Sequence, residues 1–144
     1  MTMKLIRVFV DSDVVIASLM STTGAADMLL HNTEGIELYV SNFSVEELER
    51  VVSRLKLDQE KLHKLLNTRF SFVKINQPLK KIREEFADYI RDINDAHIVA
   101  GAKEAKVTYI VTYNIRHFET NKLSQDFQII LLTPGLFLQY LRSL

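Results

Sequence analysis

The chain contains no cysteine, which excludes disulfide scaffolds and thiolate zinc sites together. It has no apolar run near the ~18 residues that a membrane-spanning helix requires. No long apolar stretch follows Lys4 and Arg7, so no secretory leader is expected. Linkers, internal repeats and low-complexity tracts are missing as well. What is left is 144 residues, 47% of them apolar, enough for one compact domain over residues 1–144 with a sizeable core. A cytoplasmic protein without a membrane partner is the expectation.

The net charge is zero, but the charges are unevenly placed. From Arg50 to Arg83 the sequence holds ten Lys/Arg and two acids, Asp58 and Glu60, a net of +8, so the remainder carries −8. Such asymmetry suits an anionic partner, and it suits two solvated helical faces equally well.

Short apolar runs alternate with amphipathic stretches. Strands are expected at Leu5–Val10, Ile36–Val40, Tyr109–Thr112 and Phe127–Leu132, with a short strand or connector at Phe72–Ile75. Helices are expected at Val14–Leu30 (broken near Thr23-Gly24), Ser44–Leu55, Asp58–Phe70, Pro78 to about Tyr89, and Asn94–Ala105. Thr133-Pro134 reads as an N-cap and a first-turn proline opening a last helix to Leu141. Strands apolar on both faces with helices between them point to a mostly parallel sheet covered on both sides, a three-layer α/β/α sandwich.

In such a fold, ligands bind beyond the carboxyl ends of the strands. Asp11 in VFVDSDVVIASL lies just past the first strand. Ser41-Asn42 lies just past the second, where the next helix brings Ser44 and Glu47. Asn114 in VTYNIRHF follows the strand at Tyr109–Thr112, and Asp95 opens the helix before that strand. Each has a structural alternative. Ser44-Val45-Glu46-Glu47 fits a capping box, Asp95 suits a helix N-terminus, and Asp11 suits an N-cap. A cap occupies one acceptor, however, and a carboxylate has others. Three carboxylates gathered without a cation repel one another. A hard divalent ion, Mg²⁺ or Mn²⁺, removes that cost and supports phosphodiester hydrolysis by activating water.

At these residues the sequence resembles the PIN-domain family, nucleases that include the VapC-type toxins of toxin–antitoxin pairs. VFVDSDVVIASL is similar to the opening strand with its first acid, Asp11. YVSNFSVEELERVVSR is similar to the second motif, with its acid at Glu47. RDINDAHIVAGAKEAKVTYIVTYNIRHF is similar to the third and fourth motifs, with Asp95 as third acid and Thr112 opening a T-x-D or T-x-N turn. LLTPGLFLQYL resembles the terminal helix. The resemblance spans nearly the whole chain. It implies a Mg²⁺- or Mn²⁺-dependent ribonuclease acting on single-stranded RNA, with Asp11, Glu47 and Asp95 on the metal and Asn114 at the fourth catalytic position. It also implies a blocking antitoxin and a common homodimer. The sequence departs from the pattern at three places. Asn114 replaces the usual Asp, His117 stands where some relatives carry an acid, and Asp13 stands where Asn is common. Asp13 either restores a negative charge or faces solvent, and Asp92 is a further outer carboxylate.

Arg50 and Arg54 follow Glu47 at i+3 and i+7 and share its helical stripe, where they would line an approach for phosphates. Arg116 and His117 are the other candidate RNA contacts. Phe70, Phe72 and Tyr89 would either stack on bases or belong to the core, and His97 is expected to turn away from Asp95. Two rival readings remain. DSDVV after a strand also suits a haloacid-dehalogenase-like phosphatase with a nucleophilic aspartate, although the late paired acids are missing. A catalytically weakened PIN-like module that binds RNA or protein fits Asn114 and His117. Receiver domains also gather acids at a sheet edge, but their opening acidic pair is not found.

Overall fold

A computed structural model describes residues 4–144. Five strands form one sheet: β1 (Ile6–Val10), β2 (Ile36–Ser41), β3 (Phe70–Val73), β4 (Tyr109–Val111) and β5 (Ile130–Leu132). Their spatial order is β3-β2-β1-β4-β5, and every pairing is parallel. The chain winds outward from β1 to β3 and then resumes on the other side of β1 with β4. The switch point therefore lies between β1 and β4, where a crevice opens beyond the strand ends.

Among the described residues eight helices cover the sheet: α1 (Ser12–Met20), α2 (Ala25–Asn32), α3 (Asn42–Arg54), α4 (Gln59–Arg69), α5 (Leu79–Glu85), α6 (Ala96–Ala105), α7 (Thr120–Phe127) and α8 (Pro134–Arg142). Alternation along β1 divides the core. Val8 and Val10 face one apolar cluster with residues of α1, α2, α3, α4 and α8. Phe9 faces the other with residues of α5, α6 and α7. This is the expected three-layer α/β/α sandwich, with an all-parallel sheet. Among the described residues no single helix is long and apolar enough to cross a membrane.

Several boundaries differ from the sequence pattern. Phe70, expected to end a helix, opens β3, two residues ahead of the strand expected at Phe72–Ile75. Asn42 accounts for the end of that strand: its amide side chain donates to Ile75 O at 3.2 Å and accepts from Ile75 N at 2.7 Å, replacing the sheet ladder. The stretch Phe127–Leu132 is only half strand. Phe127 ends α7, Gln128 adopts a left-handed φ of 55° that terminates the helix, and the strand starts at Ile130. The helix from Pro78 is α5 followed by a separate 3₁₀ turn, Ala87–Tyr89. Another 3₁₀ turn, Ile93–Asp95, precedes α6. α3 starts two residues before Ser44, because the buried Ser41 is its N-cap and accepts from Ser44 N at 3.2 Å. The capping box that Ser44 and Glu47 offered as an alternative is therefore not formed, and Glu47 is left for other partners. At the last helix the expected cap holds: Thr133 Oγ1 accepts from Leu136 N at 3.3 Å, one residue before the turn that Pro134 opens.

Candidate metal centre

β1 and β4 are adjacent, and Val10 pairs with Val111. The residues that follow the two strands, Asp11 and Thr112, therefore leave the sheet side by side, tied by Asp11 N donating to Val111 O at 3.0 Å. Both side chains are buried. Thr112 Oγ1 donates to Asp11 Oδ2 at 2.9 Å and accepts from Asn114 N at 3.0 Å. One hydroxyl thus holds the first carboxylate and shapes the turn after β4. Asp11 is the N-cap residue of α1 by backbone geometry, but its side chain makes no cap bond. Its carboxylate is committed to the crevice, not to the helix.

Glu47 and Asp95 line one groove. Glu47 projects from the second turn of α3, and its Oε2 lies 2.9 Å from His97 Nε2. Asp95 closes the 3₁₀ turn before α6, and its Oδ2 lies 3.2 Å from His117 Nδ1. Asp92 opens that same turn by accepting from Asn94 N at 3.0 Å. Asp92, Asp95 and His117 each offer a ligand atom, and these atoms lie within 4.8 Å of one another.

The electrostatics show the acids acting on each other. Burial pushes the Asp11 carboxyl well above its ordinary range, helped by the charges of Asp13, Asp95 and Glu47, with the Thr112 hydrogen bond opposing. Burial also raises Asp13, and the Asp95 charge adds to it. Asp95 is raised by burial and by Asp92, while His117 pulls it down. The charges of Asp95 and Glu47 reach Asp11, but among the described residues the only three ligand atoms within 4.8 Å of one another are those of Asp92, Asp95 and His117, a group that holds neither Asp11 nor Glu47.

The remaining candidates divide. Asn114 does not aim its amide nitrogen at the acids as a group; Nδ2 donates to Asp13 Oδ2 at 3.0 Å. Asp13 is not solvent-facing: it is half-buried and also accepts from Tyr113 N at 3.0 Å. Arg50 and Arg54 do share the stripe of Glu47. Together with Arg83, Asp95 and His97 they line an open groove of about 400 Å³ beside the acids. Arg116 is exposed on the 3₁₀ turn Ile115–His117.

One expectation needs correction, and two open alternatives are resolved. His97 does not turn away. It is buried, and the first turn of α6 brings it against Glu47, a contact spanning 50 residues that no local pattern signals. Phe70 is core, and Tyr89 packs on Phe127 with its hydroxyl donating to Asp126 Oδ2 at 2.5 Å, so neither is free to stack; Phe72 is exposed. The basic segment is not one surface. Arg69 is tied to Leu30 O and Thr33 O at 2.5 and 3.0 Å, and Lys61 and Lys64 line a different hollow near His31. The sequence also held no sign of Arg83 in the groove or of the Tyr113 N–H at Asp13.

A divalent ion fits this donor set. Carboxylate oxygens dominate it, which suits Mg²⁺ or Mn²⁺. The buried Asp13 Oδ1 has no hydrogen-bond partner. A buried acceptor of that kind is costly unless something meets it.

Comparison with known proteins agrees with this geometry. No curated protein matches the sequence significantly. A toxin–antitoxin complex from Klebsiella pneumoniae has a similar fold, with a TM-score of 0.61 at 16% identity over 88% of this chain and 97% of that one. The VapBC2 complex from Rickettsia felis, bound to a DNA fragment from its promoter, gives 0.58 at 17% identity over 89% and 98%. The profile described as PIN domain matches residues 7–116, a span that holds every strand-end acid described above. With the switch-point crevice, its acids and that match in agreement, the chain belongs to the PIN-domain family.

Proposed function

We propose that this PIN domain is a Mg²⁺- or Mn²⁺-dependent endoribonuclease that cleaves single-stranded RNA, and that it is the toxin of a toxin–antitoxin pair. The observation that carries the reading is Asp11. It is a buried carboxylate pushed above its ordinary range by burial and by Asp13, Asp95 and Glu47, at the switch point of a parallel sheet. Structural acids are seldom buried among other acids, whereas metal-binding ones are.

In this reading Asp11, Glu47 and Asp95 hold the ion, with Asp92 and His117 beside it. A bound divalent ion would polarise the scissile phosphate and increase the acidity of the attacking water. The chain's own groups supply positioning. Thr112 fixes the Asp11 rotamer by its 2.9 Å hydrogen bond. His97 holds Glu47 from the interior of α6. Arg50, Arg54 and Arg83 draw the phosphate backbone along the groove that ends at Asp95. These contacts read charge and not sequence, so target choice lies elsewhere. The antitoxin partner is supported by the complexes whose fold this chain shares. A homodimer and a cytoplasmic location belong to the same reading. Family membership leaves the phosphatase alternative without support.

The experiment is cleavage of a labelled mixed-sequence single-stranded RNA with Mg²⁺, Mn²⁺ or EDTA, beside an Asp11→Asn/Asp95→Asn double variant. Cleavage by the wild type alone, abolished by EDTA, is expected. A second reading, a binding module with weakened catalysis, is favoured by the Asn114 amide being spent on Asp13. It requires RNA binding with no cleavage in either metal.

A further inference from the structure

Helix α6 is buried from Ala96 through Ala102, and one face of it docks on α3 at two positions a turn apart, Gly101 and His97. At Gly101 an added Cβ would stand 2.5 Å from the Phe9 ring and 3.4 Å from the Cβ of Ser41, the N-cap of α3. The missing side chain is what lets α6 come this close to β1 and to the start of α3. One turn earlier the same face carries His97, whose Nε2 lies 2.9 Å from Glu47 Oε2 in the second turn of α3. The Phe43 ring, also on α3, tilts against the imidazole with its centroid 6.3 Å away. Packing therefore sets where the His97 ring stands.

Packing does not explain why the ring is an imidazole. His97 is buried, and its Nδ1 is buried with no hydrogen-bond partner. An unpartnered buried polar atom is costly, and an apolar side chain would fill the place without that cost. The polarity of the ring is used at one atom only. An ionised carboxylate can only accept, so Nε2–H donates to Glu47 Oε2. Glu47 does not need this donor to be solvated, since its side chain is 34% exposed and water can reach it. What the bond adds is direction. A glutamate on a groove wall otherwise spreads over several rotamers. Here Oε2 is held by a ring that the core holds, and Oε1 is the oxygen left over.

We propose that His97 is the positioning residue of Glu47: it occupies Oε2 from inside the fold, so that Glu47 presents Oε1 alone to the divalent cation. The inference rests on the metal reading above and adds to it which oxygen Glu47 offers and what aims it. An outer hydrogen bond to a ligating carboxylate governs metal affinity by roughly ten- to a hundredfold.

The test is Mn²⁺ binding by calorimetry to purified, EDTA-stripped full-length protein, with thermal melts beside it. His97→Leu fills the same space without a donor or an orphaned nitrogen. It is expected to melt close to the wild type and to bind Mn²⁺ at least about tenfold more weakly. His97→Gln can return an N–H to Oε2 and is expected to bind within about threefold of the wild type. A packing role alone would lower the melt and leave the affinity unchanged. Wild-type affinity in folded His97→Leu would overturn the proposal, and so would His97→Gln binding no better than His97→Leu. Both results leave the metal reading standing if Asp11→Asn/Asp95→Asn abolishes binding. If neither His97 variant folds, the wild type carries the test. In heteronuclear NMR spectra the His97 ring proton should sit on Nε2, and its signal should shift as Mg²⁺ is added. A ring protonated only at Nδ1, or a signal unmoved at saturating Mg²⁺, would overturn the proposal. No Mn²⁺ binding by the wild type would overturn the metal reading and this inference with it.

Discussion

Thr112→Val tests the centre at its most enclosed point. Thr112 is fully buried, so valine occupies the same space and removes only the hydroxyl. Three contacts go with it, the donation shared between Asp11 Oδ2 at 2.9 Å and Asp13 Oδ2 at 3.4 Å, and the 3.0 Å acceptance from Asn114 N. A hydrogen bond to a charged group contributes about 1.5–3 kcal/mol, and an N–H left without its partner costs about 1 kcal/mol more, so a loss of about 2.5–4 kcal/mol is expected. In a domain of this size that is a fall of about 6–12 °C in melting temperature. The variant also raises the Asp11 carboxyl further, since the Thr112 bond is what opposes burial there. Mn²⁺ binding should then require a higher pH than in the wild type. Thr112→Ser should restore most of both properties. The assay is a thermal melt at neutral pH with Mn²⁺ titrations at several pH values. Unchanged stability and unchanged pH dependence in Thr112→Val would refute the reasoning.

Three further outcomes follow from the same geometry. Asp11, Asp13 and Asp95 all bind protons more tightly folded than unfolded, so metal-free stability falls as pH rises from the ordinary carboxylate value of 3.8 through their raised folded values; urea titrations with EDTA at stepped pH check this. Mn²⁺ should reverse that fall, because it binds the ionised, folded site. Arg50→Ala/Arg54→Ala should weaken single-stranded RNA binding and flatten its dependence on salt by a slope of about 1 to 2, read by fluorescence anisotropy from low to high salt. Gly101→Ala should cost about 1–3 kcal/mol in a urea melt, as overpacking does; the added Cβ would stand 2.5 Å from the Phe9 ring, where α6 lies against β1.

Most of the architecture was legible because two periodicities marked it. β1 and β4 are apolar on both faces, and α3 repeats Val45, Leu48, Val52 at helical spacing. The same logic set the residues after β1 and β4, Asp11 and Thr112, side by side, since strand ends in a parallel sheet share a side. The boundary errors came where a local signal was overridden. Gln128 ended α7 by adopting a left-handed φ that glutamine does not advertise. Ser41 took the capping role that Ser44 could have filled, and Glu47 meets His97. The pairing of Asp13 with Asn114 spans 101 residues, and that of Asp95 with His117 spans 22. Such contacts are made by the packing of α1, α6 and the β4 turn, and nothing in a single sequence declares them. Their residue types were visible as departures at positions 13, 114 and 117, but not what those departures meant.

The central claim is that the strand-end acids form one divalent-metal centre. Crystals soaked in Mn²⁺ and measured at the manganese absorption edge test it most directly. The account expects an anomalous peak in contact with Asp11 and Asp95, with Glu47 beside it, and no such peak in Asp11→Asn/Asp95→Asn crystals. An ordered wild-type site with all three carboxylates visible and no peak among them at saturating Mn²⁺ would contradict it.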